Sequence, residues 1–233
     1  MKGEGQGGEH HRPVRSFVRR QGRLTRGQRR ALDRLGPDWV LALPDSPLDL
    51  DELFGRQAPR VLDIGFGMGE ALAEQAAAHP ERDYLGVEVY PPGVGRMLQS
   101  IEERGLTNVR LLNEDVMEVL DRALAPASLD YVHVYFPDPW PKKRHHKRRL
   151  VQPPFPEKVA RALRPGGRLH LATDWAPYAE WMVEVMEAEP AFANETGPGA
   201  FAERPGDRPL TRFEQRGERL GHEVFDLLYR RTG

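Results

Sequence analysis

Four acidic residues stand at or just beyond the ends of short apolar stretches that predict β-strands: Asp63, Glu88, Asp115 and Asp138. Ligands of open α/β sheets bind outside the carboxyl ends of the strands, so these acids are expected near one site. Carboxylates accept hydrogen bonds from hydroxyl and amino groups, and they attract positive charge. The pattern therefore favours a ligand that carries hydroxyl groups and a cationic part.

The segment 60–70 predicts a buried strand, a tight turn and the start of a helix. Three glycines at alternate positions form the turn and let the backbone approach a ligand closely: Gly65, Gly67 and Gly69. A dinucleotide-binding turn would carry Gly or Ala at position 70, where this chain has Glu70. With Asp63 also beside the turn, the site suits S-adenosylmethionine, whose amino and sulfonium groups are cationic, better than a pyrophosphate.

Two further acids indicate an adenosine ligand. Glu88 ends the second predicted strand, 83–89, at the position where an acid accepts hydrogen bonds from ribose hydroxyls. This feature is common to NAD sites and methyl-donor sites. Asp115 follows the third strand, 109–113; it could accept from the adenine amino group, cap the helix 116–124, or do both.

The fourth predicted strand, 129–136, runs into three prolines around Asp138 and Trp140. This rigid turn lies where the active site of an open α/β sheet is expected. A basic run follows it, with six Lys or Arg among residues 142–149. Such a run at a ligand crevice favours contact with phosphates of a nucleic acid. Trp140 could stack on a base or pack beneath the loop.

Composition excludes several classes of protein. The 233 residues contain no cysteine, so disulfides, thiolate metal sites and cysteine nucleophiles are absent. No apolar run is long enough to span a membrane, and the N-terminus does not read as a secretory signal; a cytoplasmic enzyme is expected. His145 and His146 have no acidic neighbours at metal-ligand spacing, so no metal is predicted. Residues 1–30 hold nine Lys or Arg and two acids, and we expect 1–24 to be a basic arm.

The remaining elements complete an α/β layout. Thr25 is expected to cap a helix that reaches Leu35, and the proline-containing stretch 36–59 is expected to be a connector with one helical turn. Later helices are predicted at 153–163 and 175–189, a fifth strand at 168–173, a loop at 190–210, and two final strands at 211–220 and 222–231. Five strand–helix units and a terminal antiparallel pair predict a Rossmann-like class I methyltransferase fold with a mostly parallel seven-stranded sheet, in a single domain over 25–233.

Five segments resemble the bacterial tRNA (guanine-N7-)-methyltransferases: residues 62–70, Gly86-Val87-Glu88, the motif Pro137-Asp-Pro-Trp-Pro-Lys-Lys143 with its basic run, Thr173-Asp174, and Thr211-Arg-Phe-Glu214. The resemblance covers roughly residues 25 to 230, and the proline-rich motif is its most specific part. It implies methyl transfer from S-adenosylmethionine to N7 of the guanosine at position 46, in the variable loop of tRNA, with tRNA as partner and no obligatory protein partner.

The resemblance also implies roles for individual residues. Donor contacts would come from Asp63, Glu88, Asp115 and Asp138, although Asp63 stands where family members commonly have Glu. Contacts to tRNA or guanine would come from Lys142, Asp174, Thr211, Arg212, Phe213 and Glu214. The RNA-binding stretch would be Arg144, His145, His146, Lys147, Arg148 and Arg149.

The chemistry of guanine suggests a simple mechanism. N7 has an in-plane lone pair and no proton, so positioning should dominate catalysis. Asp138 is the expected catalytic residue, because a carboxylate there favours the positive charge that develops on the base; Asp174 could share the task of orienting the ring.

Three alternatives remain open on sequence alone: methylation of another RNA nucleobase, a non-catalytic RNA-binding protein, and an NAD-dependent oxidoreductase.

Overall fold

The computed structural model describes residues 22–210, Glu214 and 223–233. Within them one mixed sheet has the strand order β1-β4-β3-β2-β5-β6-β8-β7. Its strands are β1 (Val40–Leu41), β2 (Arg60–Ile64), β3 (Asp83–Val87), β4 (Val109–Leu112), β5 (Leu129–Tyr135), β6 (Leu163–Thr173), β7 (Phe192–Asn194) and β8 (Phe225–Arg231).

Seven α-helices connect or flank these strands. They are α1 (Arg26–Trp39), α2 (Leu50–Phe54), α3 (Glu70–Ala78), α4 (Pro91–Arg104), α5 (Val116–Arg122), α6 (Pro154–Ala162) and α7 (Ala176–Glu187) in the described part of the chain. A 3₁₀ helix, Lys143–Arg148, lies between β5 and α6. The helices predicted from sequence are present, with ends shifted by a few residues.

The first six strands run in one direction, and β8 runs in the opposite direction between β6 and β7. β2 pairs with β3 and with β5, and β5 pairs with β6, all in parallel register. β8 pairs antiparallel with β6 on one side and with β7 on the other. The predicted class I methyltransferase fold with a terminal antiparallel pair is therefore confirmed. The sheet has eight strands among the described residues, where seven were predicted.

Two short strands differ from prediction. β1, which pairs with β4, lies inside the predicted connector 36–59. β7, which pairs with β8, lies inside the predicted loop 190–210. Among the described residues, β8 pairs with β7 at the end of the sheet. Glu214, the described residue of 211–220, is helical, and the other residues of that range lie outside the described ones.

The sheet buries apolar side chains on both faces, as parallel sheets do. One cluster joins alternate strand residues such as Val61 and Tyr84 to α3, α4 and α1. The other joins Leu62 and Val132 to α5, α6 and α7. Two covered faces leave the strand ends as the edge at which a ligand can bind.

The predicted cap of α1 is present. The Thr25 hydroxyl accepts the backbone N–H of Gln28 at 3.2 Å, and the Gln28 side chain accepts the backbone N–H of Thr25 at 2.9 Å. The buried Gln28 amide also donates to the Pro92 carbonyl at 3.1 Å, so α1 is fixed against the start of α4. Most of the predicted arm 1–24 lies outside the described residues.

Among residues 22–210, 214 and 223–233, no helix combines the length and apolar character needed to cross a membrane.

Candidate active site

The glycine turn between β2 and α3 has the backbone conformation that its sequence predicts. Gly65, Gly67 and Gly69 have φ of 73°, 58° and 79°, a region that side chains with a Cβ atom seldom adopt. The turn is packed from behind by α4, where a Cβ on Gly93 would come within 2.1 Å of the Gly67 carbonyl oxygen. Glycine is therefore required on both sides of this contact, and the turn is held tightly in place.

Glu88, just beyond β3, is bonded to this turn. One carboxylate oxygen accepts the Gly67 backbone N–H at 2.8 Å, and the other accepts the Tyr90 backbone N–H at 2.9 Å. Burial raises the pKa of Glu88, and the backbone hydrogen bonds oppose that rise. Each oxygen keeps one lone-pair site, so a carboxylate oriented in this way can still accept from two hydroxyl groups.

Asp63 is buried in β2 at the edge of the glycine turn. Its Oδ2 atom is buried and has no hydrogen-bond partner among the described residues. Burial, with the nearby Glu88 carboxylate, raises the pKa of Asp63 to about 7. A cationic group placed beside Asp63 would satisfy this oxygen and favour the ionised carboxylate.

Two adjoining cavities meet at Gly65 and Phe136. One, of about 270 Å³, is lined by Glu88, Asp115 and Asp138 together with apolar side chains. The other, of about 430 Å³, is lined by Asp63, the glycine turn and Tyr135. The structure thus brings together the four acids singled out from sequence, in two halves of one crevice at the carboxyl ends of the strands.

Asp115 has the capping role that was one of its two expected roles. Its Oδ1 atom accepts the Met117 backbone N–H at 3.0 Å at the start of α5. The same residue lines the smaller cavity. The cap leaves acceptor capacity on the carboxylate, so a contact with a ligand amino group is compatible with it.

Asp138 lies in a turn bounded by strained backbone. Phe136 and Trp140 have φ of 53° and 46°, which is unusual for residues other than glycine. Between them Pro137 and Pro139 restrict the chain further. Phe136 continues the sheet by donating its N–H to the Ala172 carbonyl at 2.8 Å. The exposed Asp138 side chain is therefore presented from a rigid segment at the end of β5.

Lys142 follows this turn in the chain, and Asp174 follows the neighbouring strand, β6. β5 and β6 are parallel neighbours with Tyr135 opposite Ala172, so Asp138 and Asp174 follow adjacent strand ends. Asp174 is half-buried. Lys142 is exposed and precedes the 3₁₀ helix.

The basic run forms the 3₁₀ helix and divides into exposed and buried parts. Arg144 and Lys147 are exposed, while His145, His146 and Arg148 are half-buried. Trp140 packs beneath this helix, with the Arg148 guanidinium carbon 5.1 Å from its ring centroid and the His145 ring 5.8 Å away.

Arg149 differs in its burial from the other residues of the predicted RNA-binding stretch. It is only 2% exposed, its Nε donates to the Pro139 carbonyl at 2.9 Å, and its guanidinium lies 4.8 Å from the Tyr178 ring centroid. A side chain placed in this way supports the proline turn and does not face a phosphate in solution. Consecutive basic residues look alike in sequence, so the pattern did not reveal that the last one is buried.

Sequence reasoning missed a buried polar network behind the larger cavity. The Arg208 guanidinium binds both oxygens of Glu214, at 2.7 and 2.6 Å, and Asp226 at 3.0 Å. Asp226 also lies 2.6 Å from His170 Nε2, and His170 Nδ1 lies 3.1 Å from the Tyr135 hydroxyl. The sequence signal that could have revealed this network is that His170 and Asp226 are polar residues at interior positions of β6 and β8. Of the predicted motif 211–214, only Glu214 is described.

Solved structures share this fold. The 16S rRNA methyltransferase KamB matches with a TM-score of 0.56 and 19% identity, over 81% of this chain and 95% of that one. An rRNA methylase from Streptococcus thermophilus matches with a TM-score of 0.51 and 14% identity, over 91% of this chain and all (100%) of that one. At these identities the likeness supports the fold alone.

Sequence relatives identify the family. The family model described as "Putative methyltransferase" matches residues 57–227. The tRNA (guanine-N(7)-)-methyltransferase of Alkalilimnicola ehrlichii is 61% identical over 94% of this chain and 93% of its own length. The enzyme of the same name from Halorhodospira halophila is 58% identical over 94% of this chain and 95% of its own. The chain therefore belongs to the bacterial tRNA (guanine-N7-)-methyltransferase family.

Proposed function

We propose that this protein methylates the guanosine at position 46, in the variable loop of tRNA. As a member of its family it is a methyltransferase that uses S-adenosylmethionine and acts on N7 of guanine in tRNA. The observation that carries the proposal is the clustering of Glu88, Asp115 and Asp138 around one cavity, next in the chain to a basic helix. Because tRNA is the partner, a cytoplasmic location is part of the proposal.

The crevice fits the methyl donor. The unpartnered, buried Oδ2 of Asp63 is suited to a cationic group, and Glu88 is suited to ribose hydroxyls because two backbone amides fix its orientation. Asp115 would accept from the adenine amino group while it caps α5. The glycine turn lets the backbone approach the ligand closely. When bound, S-adenosylmethionine supplies an electrophilic methyl group on a sulfonium.

Asp138 would serve the acceptor base. Guanine N7 attacks without losing a proton, so no residue has to act as a base at that atom. The Asp138 carboxylate would accept from guanine N1–H and the exocyclic amine and would stabilise the positive charge that forms on the ring. Asp174, after the neighbouring strand, would assist in orienting the base.

The exposed basic side chains of the 3₁₀ helix would bind tRNA phosphates. Lys142, Arg144 and Lys147 are the exposed cations of this stretch that we assign to such contacts, with His145, His146 and Arg148 at their margin. Thr211, Arg212 and Phe213, which lie outside the described residues, remain assigned to the substrate on the family resemblance.

Methyl transfer from labelled S-adenosylmethionine to unmodified tRNA transcripts tests the proposal, with the product mapped by chain cleavage at 7-methylguanosine. We expect cleavage at position 46. Label at another nucleotide would instead support the second candidate, methylation of a different RNA base by the same site. Absence of label and of donor binding would contradict both.

A further inference from the structure

Four exposed arginines mark the start of α1. Arg23 precedes the helix, and Arg26, Arg29 and Arg30 lie within its first five residues. None of these side chains has an acidic partner in the described part of the chain. Residues three and four positions apart share one face of a helix, so the three helical arginines form one strip of positive charge. Together with Arg23 they are called the α1 arginines below.

The charge of the α1 arginines does not help the helix to fold. The first turn of α1 contains no acid. Positive side chains oppose the partial positive charge of a helix N-terminus, and like charges three or four positions apart repel each other. Farther along the same helix, Arg34 is paired with Glu102 of α4 at 2.5 Å. The unpaired cations are thus confined to the start of α1, and their charge calls for a partner outside the fold.

The start of α1 lies at the edge of the sheet where the crevice opens. α4 leads from the end of β3 back to the start of β4, so its N-terminus lies at the carboxyl edge of the sheet. The Gln28 amide donates to the Pro92 carbonyl at 3.1 Å, and Arg34 meets Glu102 farther along both helices. α1 therefore runs beside α4 in the same direction, and the α1 arginines lie at the crevice edge.

Close packing fixes the start of α1 beside the donor crevice. Gly22 lies against Tyr90, where a Cβ atom on the glycine would overlap the tyrosine hydroxyl. The Tyr90 backbone N–H donates to Glu88, which lines the smaller cavity. A Cβ on Gly95 of α4 would come within 2.9 Å of the Gln28 Cβ. The backbone that carries the α1 arginines therefore has a defined position relative to the crevice.

A second group of exposed cations lies across the crevice from the α1 arginines. Lys142, Arg144 and Lys147 belong to the basic 3₁₀ helix and the residue before it, which follow β5. α1 instead packs on α4, which follows β3. β2 lies between β3 and β5 in the sheet. The two groups of cations are therefore on opposite sides of the glycine turn that follows β2.

We propose that the α1 arginines form a second phosphate-binding surface, and that tRNA crosses the crevice with its backbone on both groups of cations. The choice of partner rests on charge: guanidinium groups bind phosphates at two points, and tRNA is the polyanion on which this family acts. The inference deepens the proposed function and rests on it for the identity of the partner. Phosphate contacts on two sides of the site would fix the orientation of the RNA over the donor.

The triple variant Arg26→Gln/Arg29→Gln/Arg30→Gln tests the inference, because Gln removes the charge and keeps helix propensity. Binding of an unmodified tRNA transcript is measured at several salt concentrations. We expect the slope of log affinity against log salt to be reduced by about 2–3. Turnover at saturating tRNA and affinity for S-adenosylmethionine should stay within about twofold of wild type. The unfolding temperature should be unchanged or higher, since the charge repulsion in α1 is removed.

Two comparisons show whether the effect belongs to this surface. Arg34→Gln makes the same charge change on the same helix, at a residue paired with Glu102, and should leave the salt slope unchanged. Phosphate-ethylation interference locates the contacts on the RNA. The phosphates whose interference is lost in the triple variant should differ from those lost in Lys147→Ala, because the two surfaces lie on opposite sides of the crevice.

Three outcomes would overturn the inference. An unchanged salt slope in the triple variant would exclude phosphate contacts by α1. An equal reduction in Arg34→Gln would show a general effect of net charge. Loss of the same phosphates in the triple variant and in Lys147→Ala would contradict two separate surfaces. Methylation by the wild-type enzyme at a nucleotide other than position 46 would contradict the proposed function instead, and the binding measurements, which need no turnover, would still test the α1 arginines.

Discussion

Glu88 accepts the backbone N–H of Gly67 at 2.8 Å, and this bond joins the acid beyond β3 to the glycine turn beyond β2. The second oxygen of Glu88 is fixed by Tyr90 at 2.9 Å, and Gly93 packs behind the turn. Because the acid is oriented before any ligand arrives, donor binding requires little ordering of the site. The hydrogen bond from Gly67 to Glu88 also helps to hold the glycine turn in its shape.

Glu88→Gln should weaken donor binding about 10-fold to 100-fold. The amide replaces one acceptor oxygen, so it cannot accept from both backbone N–H groups and the ribose hydroxyls, and charge-assisted hydrogen bonds of this kind are worth about 1.5–3 kcal/mol. Isothermal titration of S-adenosylmethionine measures the effect. The exposed Glu118→Gln, on α5, is the control and should bind normally. Unchanged affinity in Glu88→Gln would exclude Glu88 from the donor site.

Asp63 should make donor binding depend on pH. Its pKa in the folded protein is about 7, above the ordinary value of 3.8, so ionisation of this group disfavours the folded, ligand-free state as pH rises from about 4 to about 7. A cationic ligand offsets this cost. Donor affinity should therefore rise with pH up to about 7 and level off above it, and binding below about pH 7 should release a proton.

Titrations in two buffers that differ in ionisation enthalpy measure that proton. Asp63→Asn should bind donor more weakly and with no pH dependence from this group. A wild-type affinity that stays constant across this range would contradict the placement of a cation beside Asp63.

Asp138→Ala should lose most activity and keep its fold. Removing one group that stabilises transition-state charge reduces turnover about 100-fold to 1,000-fold. Single-turnover methylation of a tRNA transcript measures the loss, and thermal unfolding with and without donor verifies the fold. Turnover close to wild type would contradict the assigned role of Asp138.

The basic helix should contain two kinds of cation. Lys147→Ala removes an exposed charge, so it should weaken tRNA binding and reduce the slope of log affinity against log salt by about 1. Binding measured at several salt concentrations gives this slope. An unchanged slope for Lys147→Ala would exclude a phosphate contact at that residue.

Arg149→Ala should instead destabilise the fold. It removes the hydrogen bond to the Pro139 carbonyl and the contact with the Tyr178 ring, which should reduce the free energy of unfolding by about 1–3 kcal/mol. Denaturant unfolding measures the change. If Arg149→Ala instead had normal stability and a reduced slope of log tRNA affinity against log salt, Arg149 would be a phosphate-binding residue.

Much of the fold could be predicted because strand and helix periodicity is local. The buried run of β2, the glycine turn and the helix formers of α3 are each visible in a few residues. β1 and β7 could not be predicted, since strands of two and three residues carry no periodic pattern and form through pairing with distant partners.

The acids of the site could be predicted from their places at strand ends. The burial of charged side chains such as Arg149 could not be predicted. Arg149 is one of several consecutive cations, and only tertiary packing selects it for the interior. The pairing of β8 with β6 brings Asp226 to His170, and Arg208 reaches Asp226 from 18 residues earlier in the chain. Such a network becomes visible only when long-range contacts are known.

The most direct test of the account compares two unmodified tRNA transcripts that differ only at position 46, one with guanosine and one with adenosine. Labelled S-adenosylmethionine is the donor, and Asp138→Ala is assayed beside the wild-type enzyme. We expect the wild-type enzyme to label the guanosine transcript alone, and Asp138→Ala to label neither transcript at a comparable rate. Equal labelling of both transcripts would contradict the proposed acceptor.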